Sequence, residues 1–232
     1  METFTGEHLE FSMKYKGIQS ATSVMSSSVQ DTVFNITWKI NTKSVFTWLF
    51  KIHNIYTSQF SLKECRTLKS EKKINQKNIQ QNLSIKYDWE KLTAFSNVDS
   101  TWEIPSLGCY DLLSMIYKLR TIEKQNLDSS HFVVDIESQI WNVKVNILGE
   151  KKLKNNLGIS TVEKVELTFL PFGKTAKRKW KTDLLNNRIS KPNSKIQIWF
   201  GPFPKRLPLV MKFGTDESSV EMTLQKLSTN NQ

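Results

Sequence analysis

The stretch "GCYDLLSMIYKLR", Gly108–Arg120, has the period of a helix in a chain that otherwise alternates with the period of a β-strand. At 100° per residue, Leu112, Leu113, Ile116 and Leu119 share one broad arc, and Asp111, Ser114 and Lys118 fall opposite. Ser106 or Asp111 can cap or flank the N-terminus, Pro105 stands just before it, and Lys118 and Arg120 occupy the last turn, where cations suit the helix dipole. The spacing predicts one central helix over about residues 106–120. It also sets a puzzle, because Arg120 projects beside Cys109, Leu113 and Ile116 on the apolar arc. Three readings follow. The helix frays and the guanidinium snorkels to water. Alternatively, it meets a partly buried carboxylate, for which Asp88, Asp135 and Glu137 on neighbouring strands are the candidates. In the third reading it meets the anionic headgroup of a ligand.

Outward from this helix the sequence reads as sheet. Leu9, Phe11, Met13 and Tyr15 alternate with Glu10, Ser12 and Lys14, the mark of a half-buried strand. Lys16–Gly17 is a plausible turn into a more polar strand, "IQSATSVMSSS". Phe34, Ile36, Trp38 and Ile40 repeat the alternation. Phe46, Trp48, Phe50 and Ile52 repeat it after the turn "NTKS", Phe60 and Leu62 start a further strand, and Leu83, Ile85, Tyr87 and Trp89 another. Beyond the helix, "HFVVDIES", "IWNVKVNIL", "TVEKVELTF", "SKIQIWF", "LPLVMKF" and "SVEMTLQKL" are short, aromatic or β-branched, and separated by polar turns. About ten strands in meander order, broken by one helix, predict a mostly β fold: a single curved antiparallel sheet or open half-barrel with one packed face. No repeat or linker divides it, so one domain over 6–228 is expected, with 1–5 and 229–232 as flexible ends.

Length and composition agree with that class. The chain has 232 residues, 38% of them hydrophobic and 11% aromatic, with 7 Trp and 13 Phe, which is material for a large core. Its net charge of +11 favours polyanions or anionic membrane surfaces as partners, or serves only to keep loops solvated. The basic charge is concentrated in three stretches read as loops: "LKSEKKINQKN" (68–78), "GEKKLKNN" (149–156) and "GKTAKRKWK" (173–181). The last holds Lys174, Lys177, Arg178, Lys179 and Lys181 around Trp180 and is a candidate polyanion site. No recognition helix or RNP pattern supports nucleic acid, which is disfavoured as a partner.

Catalytic signatures are missing. There is no GxSxG, no HExxH and no Gly-rich phosphate loop, and His8, His53 and His131 are scattered. Cys65 and Cys109, the only cysteines, have no zinc-ligand spacing and read as free thiols or, less readily, one disulfide. A non-enzymatic protein without cofactor or metal is expected. No apolar run is long enough for a transmembrane helix. The opening "METFTGEHLEF" lacks a basic segment followed by an apolar one, so a cytosolic protein or the mature form of an exported one is expected.

"YDLLSMIYKLR" resembles the D-x-x-S-x-x-Y-x-x-R helix of a bacterial envelope family known as domain of unknown function 3108. The matching positions are Asp111, Ser114, Tyr117 and Arg120. "GEHLEFSMKYKGI" resembles that family's first strand and "IQIWFGPFPKRLPLVMKF" part of its closing hairpin, with Trp199, Arg206 and Pro208 as further motif positions. After the tryptophan, where the family tends to carry an acidic residue, this chain has "GPFPK". The resemblance implies an exported, periplasmic protein with a curved, unclosed barrel crossed by a helix, similar to the periplasmic lipoprotein carriers. By that analogy the concave face holds a lipid-like ligand. Trp38, Trp48, Phe50, Tyr87 and Trp89, facing Leu113, Ile116 and Tyr117, are the candidate lining. The competing functions are a protein–protein interaction module of the envelope and, more weakly, a polyanion binder using the basic loops.

Overall fold

The computed structural model describes residues 1, 4–46, 51–76, 79–98, 100–105, 108–173, 183–189, 194–215 and 219–229. The strands before the central helix are β1 (Glu7–Tyr15), β2 (Ile18–Gln30), β3 (Val33–Thr42), β4 (Ile52–Ser61), β5 (Arg66–Gln76), β6 (Ile79–Asp88), β7 (Thr93–Ser96) and β8 (Ser100–Glu103). Then come α1 (Leu112–Thr121), the single turn α2 (Lys124–Leu127), β9 (His131–Ile136), β10 (Gln139–Asn155) and β11 (Gly158–Pro171). The chain continues through α3 (Leu184–Ile189), β12 (Lys195–Phe200), β13 (Pro208–Gly214) and β14 (Ser219–Thr229).

All fourteen strands form one antiparallel sheet in the order β8-β7-β6-β5-β4-β3-β2-β1-β14-β13-β12-β11-β10-β9. The first and last strands therefore pair in the middle of the sheet, and its two edges, β8 and β9, flank α1 in sequence. The expected curved antiparallel sheet is found, but among the described residues it has fourteen strands and three helices instead of about ten and one. Some strands were hidden by their charge. The stretch 68–78, read as a basic loop, is mostly β5, and 149–156 is the end of the long β10–β11 hairpin. Both earlier readings followed lysine content where hydrogen-bonded pairing decides. Phe46 lies in a 3₁₀ turn (Ser44–Phe46) instead of a strand, and Phe60 closes β4 instead of opening a strand.

The alternation works as the sequence suggested. Phe34, Ile36, Trp38 and Ile40 on β3 are each no more than 4% exposed, and full burial of such side chains contributes about 1.5–3 kcal/mol apiece. Lys16 and Gly17 both have positive φ, 49° and 79°, as a two-residue hairpin turn between right-twisted strands requires.

Helix α1 runs inside the curve of the sheet. It starts at Asp111, whose side chain accepts from the backbone N–H of Leu113 (2.8 Å) and Ser114 (3.1 Å), while Ser114 Oγ accepts from the Asp111 N–H (3.0 Å). This is a reciprocal capping box. Leu112 through Tyr117, Leu119 and Arg120 are all buried, so the helix is enclosed on nearly every side. Edges β8 and β9 do not pair. A strap formed by Cys109–Asp111 spans part of the seam: Tyr110 N–H donates to Val133 O (2.9 Å), Asp135 N–H to Tyr110 O (2.8 Å), and Thr67 N–H on β5 to Cys109 O (3.2 Å). Among the described residues no helix is long and apolar enough to cross a membrane.

Candidate functional site

Strand register sorts the barrel-like interior into two ends. Glu7 pairs with Thr229 at one end, while Tyr15, Val220, Ala21, Ile40, Ile52 and Gln76 gather at the other. The first end is filled. Tyr117 packs against Phe34 and Phe4 with ring centroids at 5.2 and 6.0 Å, and beside it lies Arg120.

The Arg120 puzzle has a definite solution. Its guanidinium, with a side-chain exposure of 0%, donates from Nη1 and Nη2 to the two carboxylate oxygens of Glu7, each at 2.8 Å. Nε and Nη2 also donate to Lys205 O, at 3.3 and 3.1 Å, and the Phe4 ring lies 3.9 Å from its central carbon. The buried-pair reading is correct. The expected partners Asp88, Asp135 and Glu137 are not the ones used, and neither snorkelling nor a ligand headgroup is needed. A signal was available, because Glu7 is two residues before Leu9 and so shares the inward face of β1.

The opposite end is open. A cavity of about 350 Å³ is bordered there by Met13, Tyr15, Ile40, Ile52, Leu185 and Val220, with Ser20, Ala21, Asn54, Tyr56 and Gln76 completing its wall. Period-2 strands bring the apolar side chains inward from β1, β2, β3, β4 and β14. The missed helix α3 supplies Leu185.

A buried polar network lies behind that wall. Asn54 Nδ2 donates to Tyr56 OH (3.0 Å), and Tyr56 OH donates to Asp183 Oδ1 (3.0 Å). The same Oδ1 caps α3 by accepting from Leu185 N (2.9 Å) and Asn186 N (3.2 Å). Lys72 Nζ donates to Asp183 Oδ2 (3.1 Å) and also to Glu137 Oε1, which accepts from Asn186 Nδ2 as well. Burial, and next to it the Asp183 carboxylate, pushes the Tyr56 hydroxyl well above its ordinary range, so it serves as a neutral donor. A second, smaller cavity of about 70 Å³ lies between α1 and α3 and shares Tyr56 and Leu185 with the first. Trp38, Lys72, Asp111, Leu113, Asp135 and Glu137 border it.

Asp135 ties the seam. Its Oδ2 accepts from Trp102 Nε1 on β8 (2.9 Å) and from Tyr87 OH on β6 (3.2 Å), and its Oδ1 from Ser138 N (2.8 Å). Burial raises its pKa to about 7 against these hydrogen bonds, and Glu137 adds to the rise.

The other sequence candidates are scattered. Trp38 and Leu113 reach the smaller cavity, and Ile116 and Tyr117 are packed core. Tyr87 stacks on Trp89 at 6.2 Å, and Trp89 Nε1 donates to Thr67 O (2.8 Å); both are away from the larger cavity, because β6 lies beside the seam. Trp48, Phe50 and the basic loop residues Lys174, Lys177, Arg178, Lys179 and Lys181 lie outside the described residues. Of the motif positions, Asp111 and Ser114 cap α1, Tyr117 and Arg120 fill the closed end, and Trp199 sits between Lys151 and Lys164 at 5.1 and 5.0 Å. Arg206 forms a buried ion pair with Glu163 (2.8 Å). Pro208 begins β13, where its missing N–H is tolerated. Cys65 is exposed, Cys109 buried, and both are free. Among the described residues no group of three or more His, Cys, Asp or Glu side chains is arranged to hold a metal ion.

These features can be set beside known proteins. The family model described as "Protein of unknown function (DUF3108)" matches residues 10–225. The fold is similar to a beta-barrel-like protein of domain of unknown function DUF1849 from Brucella abortus, with a TM-score of 0.64, 9% identity and 99% of both chains covered. Weaker likenesses are to a provisionally assigned lipoprotein from Parabacteroides distasonis ATCC 8503 (TM-score 0.43, 8% identity, 97% of this chain and 95% of that one) and to a provisionally assigned exported protein with YmcC-like fold from Bacteroides fragilis NCTC 9343 (TM-score 0.33, 9% identity, 97% and 96%). Comparison with curated proteins finds no match.

Proposed function

The chain belongs to the DUF3108 family, proteins of unknown function, and from that premise we propose that it is a non-enzymatic envelope module that binds an apolar or amphipathic, lipid-like ligand. One observation carries the reading: the mainly apolar cavity of about 350 Å³ at the open end of the barrel. It lies within the size range of small-molecule sites, and the combination of apolar walls with a few fixed polar groups is characteristic of them. The opposite end, by contrast, is packed with aromatics and an ion pair. An exported location accompanies this proposal, as the family resemblance implies. The +11 charge would draw the protein to anionic headgroups, an attraction that weakens with salt.

Native mass spectrometry of the purified chain, followed by solvent extraction, is expected to yield a lipid-sized adduct. In a direct assay, the apolar fluorophore N-phenyl-1-naphthylamine is expected to bind the wild type. Val220→Trp, which fills the mouth from a half-buried position on β14, is expected to weaken that binding at least tenfold with little change in melting temperature. Unchanged binding by the variant would remove the cavity as the site.

A further inference from the structure

The open end of the barrel bears large apolar side chains on its outside as well as within. Ile18, directly after the β1–β2 turn, is 59% exposed, and Val45, in the 3₁₀ turn that follows β3, is 67% exposed. The two segments are neighbours, because Ala21 pairs with Thr42 and Lys43 N–H donates to Ser20 O (3.0 Å). Both adjoin the mouth of the larger cavity: Ile18 pairs with Tyr15, and Tyr15, Ser20, Ala21 and Ile52 belong to its wall. β11 reaches the same end of the sheet, since Tyr15, Val220, Phe213, Ile196 and Leu167 pair in turn. Just past Leu167, Leu170 and Phe172 are exposed as well. A single exposed aliphatic is ordinary on a protein surface, but several at one cavity mouth mark an interaction site.

Charge is sorted along the same axis. Among the described residues of the connections at this end, Lys16 and Lys51 are exposed and Lys43 half-buried, while the carboxylates Glu137 and Asp183 are buried against Lys72. The exposed carboxylates of the connections, Asp31, Glu64, Glu90, Glu123 and Asp128, are at the opposite end, mixed with Lys63, Lys91 and Lys124. Outside the described residues, the sequence between β11 and α3 adds five basic residues (174–181) and that between β13 and β14 two acidic ones (216–217).

We propose that this rim docks the barrel, mouth first, on an anionic phospholipid bilayer. Ile18 and Val45 enter the boundary between headgroups and acyl chains, and Lys16, Lys43 and Lys51 meet the phosphates. Exposed aliphatics flanked by lysines suit such a surface, because apolar burial and attraction to anionic lipid add. A second copy of the chain is a poorer occupant, since a symmetric contact would set the same lysines against one another. The docking surface is made of side chains outside the cavity wall and does not depend on what the cavity holds. Where both act together, an apolar ligand passes between bilayer and cavity without crossing water.

Co-sedimentation of the full chain with vesicles of phosphatidylglycerol and phosphatidylcholine, and of phosphatidylcholine alone, tests the proposal. The wild type is expected to bind the anionic vesicles, less as salt rises, and the neutral ones about tenfold more weakly. Ile18→Asp/Val45→Asp is expected to lower affinity for the anionic vesicles about tenfold or more. Ile159→Asp, which puts the same charge on the exposed tip of the β10–β11 hairpin at the other end, is expected to leave it nearly unchanged. A second measurement does not rely on lost binding. In a Cys65→Ser background, a bimane attached at Ile18→Cys is expected to shift to the blue on anionic vesicles, and one at Glu90→Cys is not. No binding to anionic vesicles, an equal loss in Ile159→Asp, or a blue shift at position 90 instead of 18 overturns the proposal. So does self-association that the double variant abolishes in a chain that ignores vesicles, which would make a second copy the occupant. Binding of N-phenyl-1-naphthylamine without vesicles reports on the cavity separately: docking without fluorophore binding removes the ligand reading and leaves this surface standing.

Discussion

Glu7→Ala is expected to destabilise the fold by about 3–5 kcal/mol, the cost of leaving one member of a buried ion pair without its partner. The Arg120 guanidinium is fully enclosed and gives two parallel 2.8 Å hydrogen bonds to Glu7. Without that carboxylate the guanidinium keeps its hydrogen bonds to Lys205 O but loses its counter-charge. The double variant Glu7→Leu/Arg120→Met is expected to lose far less, because apolar groups of similar size can replace a buried pair at small net cost. Urea denaturation of Glu7→Leu, Arg120→Met and the double variant closes the cycle. Near-zero losses in both single variants would show that the pair holds nothing in place.

The second large effect is a dependence on pH. Asp135 has its pKa raised from 3.8 to about 7, first by burial. Between those values the folded protein keeps a proton that the unfolded chain has released. Stability contributed by this group is therefore full below about pH 4, falls as the pH rises through 7, and stays low above it. The total is on the order of 4 kcal/mol. The groups around it are Tyr87, Cys109, Asp111 and Glu137, with Lys72 across the smaller cavity. Burial also raises the Asp111 carboxyl, which adds to the slope with the same sign. Urea midpoints from pH 4.5 to 8 are expected to fall in the wild type and to fall much less in Asp135→Asn. Identical slopes in the two proteins would assign the dependence elsewhere. The strain falls on the seam, since Asp135 joins β9 to Trp102 on β8 and Tyr87 on β6.

The architecture was readable where physics leaves a periodic trace. Phe34 to Ile40 and Leu9 to Met13 alternate because one face of each strand is dry. The 111, 114, 117, 120 spacing runs half a turn around α1, from Asp111 and Ser114 against β4 and β5 to Arg120 against Glu7 on β1, and all four are buried because the helix is enclosed. β5 left no such trace: of its buried residues Thr67, Lys72, Ile74 and Gln76, just Ile74 is apolar, and Lys72 turns inward to the carboxylates of Glu137 and Asp183. That polar centre depends on residues 111 positions apart, Lys72 and Asp183, which no local pattern can bring together. For the same reason the candidate lining followed the largest aromatics, which pack on one another, while the larger cavity is bounded by Met13, Ile40, Ile52 and Val220. Space persists where smaller side chains meet at strand ends.

The pairing of β1 with β14 at the middle of the sheet makes this a chain whose most distant segments must find each other before the sheet is whole. Closing so large a loop slows folding, since the entropy is lost before the contacts form. Every other neighbour in the sheet is also a neighbour in sequence. A circular permutant that joins the ends beside Glu7 and Thr229 and opens the chain between β8 and Gly108 would turn the whole sheet into an uninterrupted meander. Such a permutant is expected to refold faster than the natural order, as stopped-flow fluorescence of its seven tryptophans can measure. In the natural order the first strand made waits with one edge bare until the last is delivered.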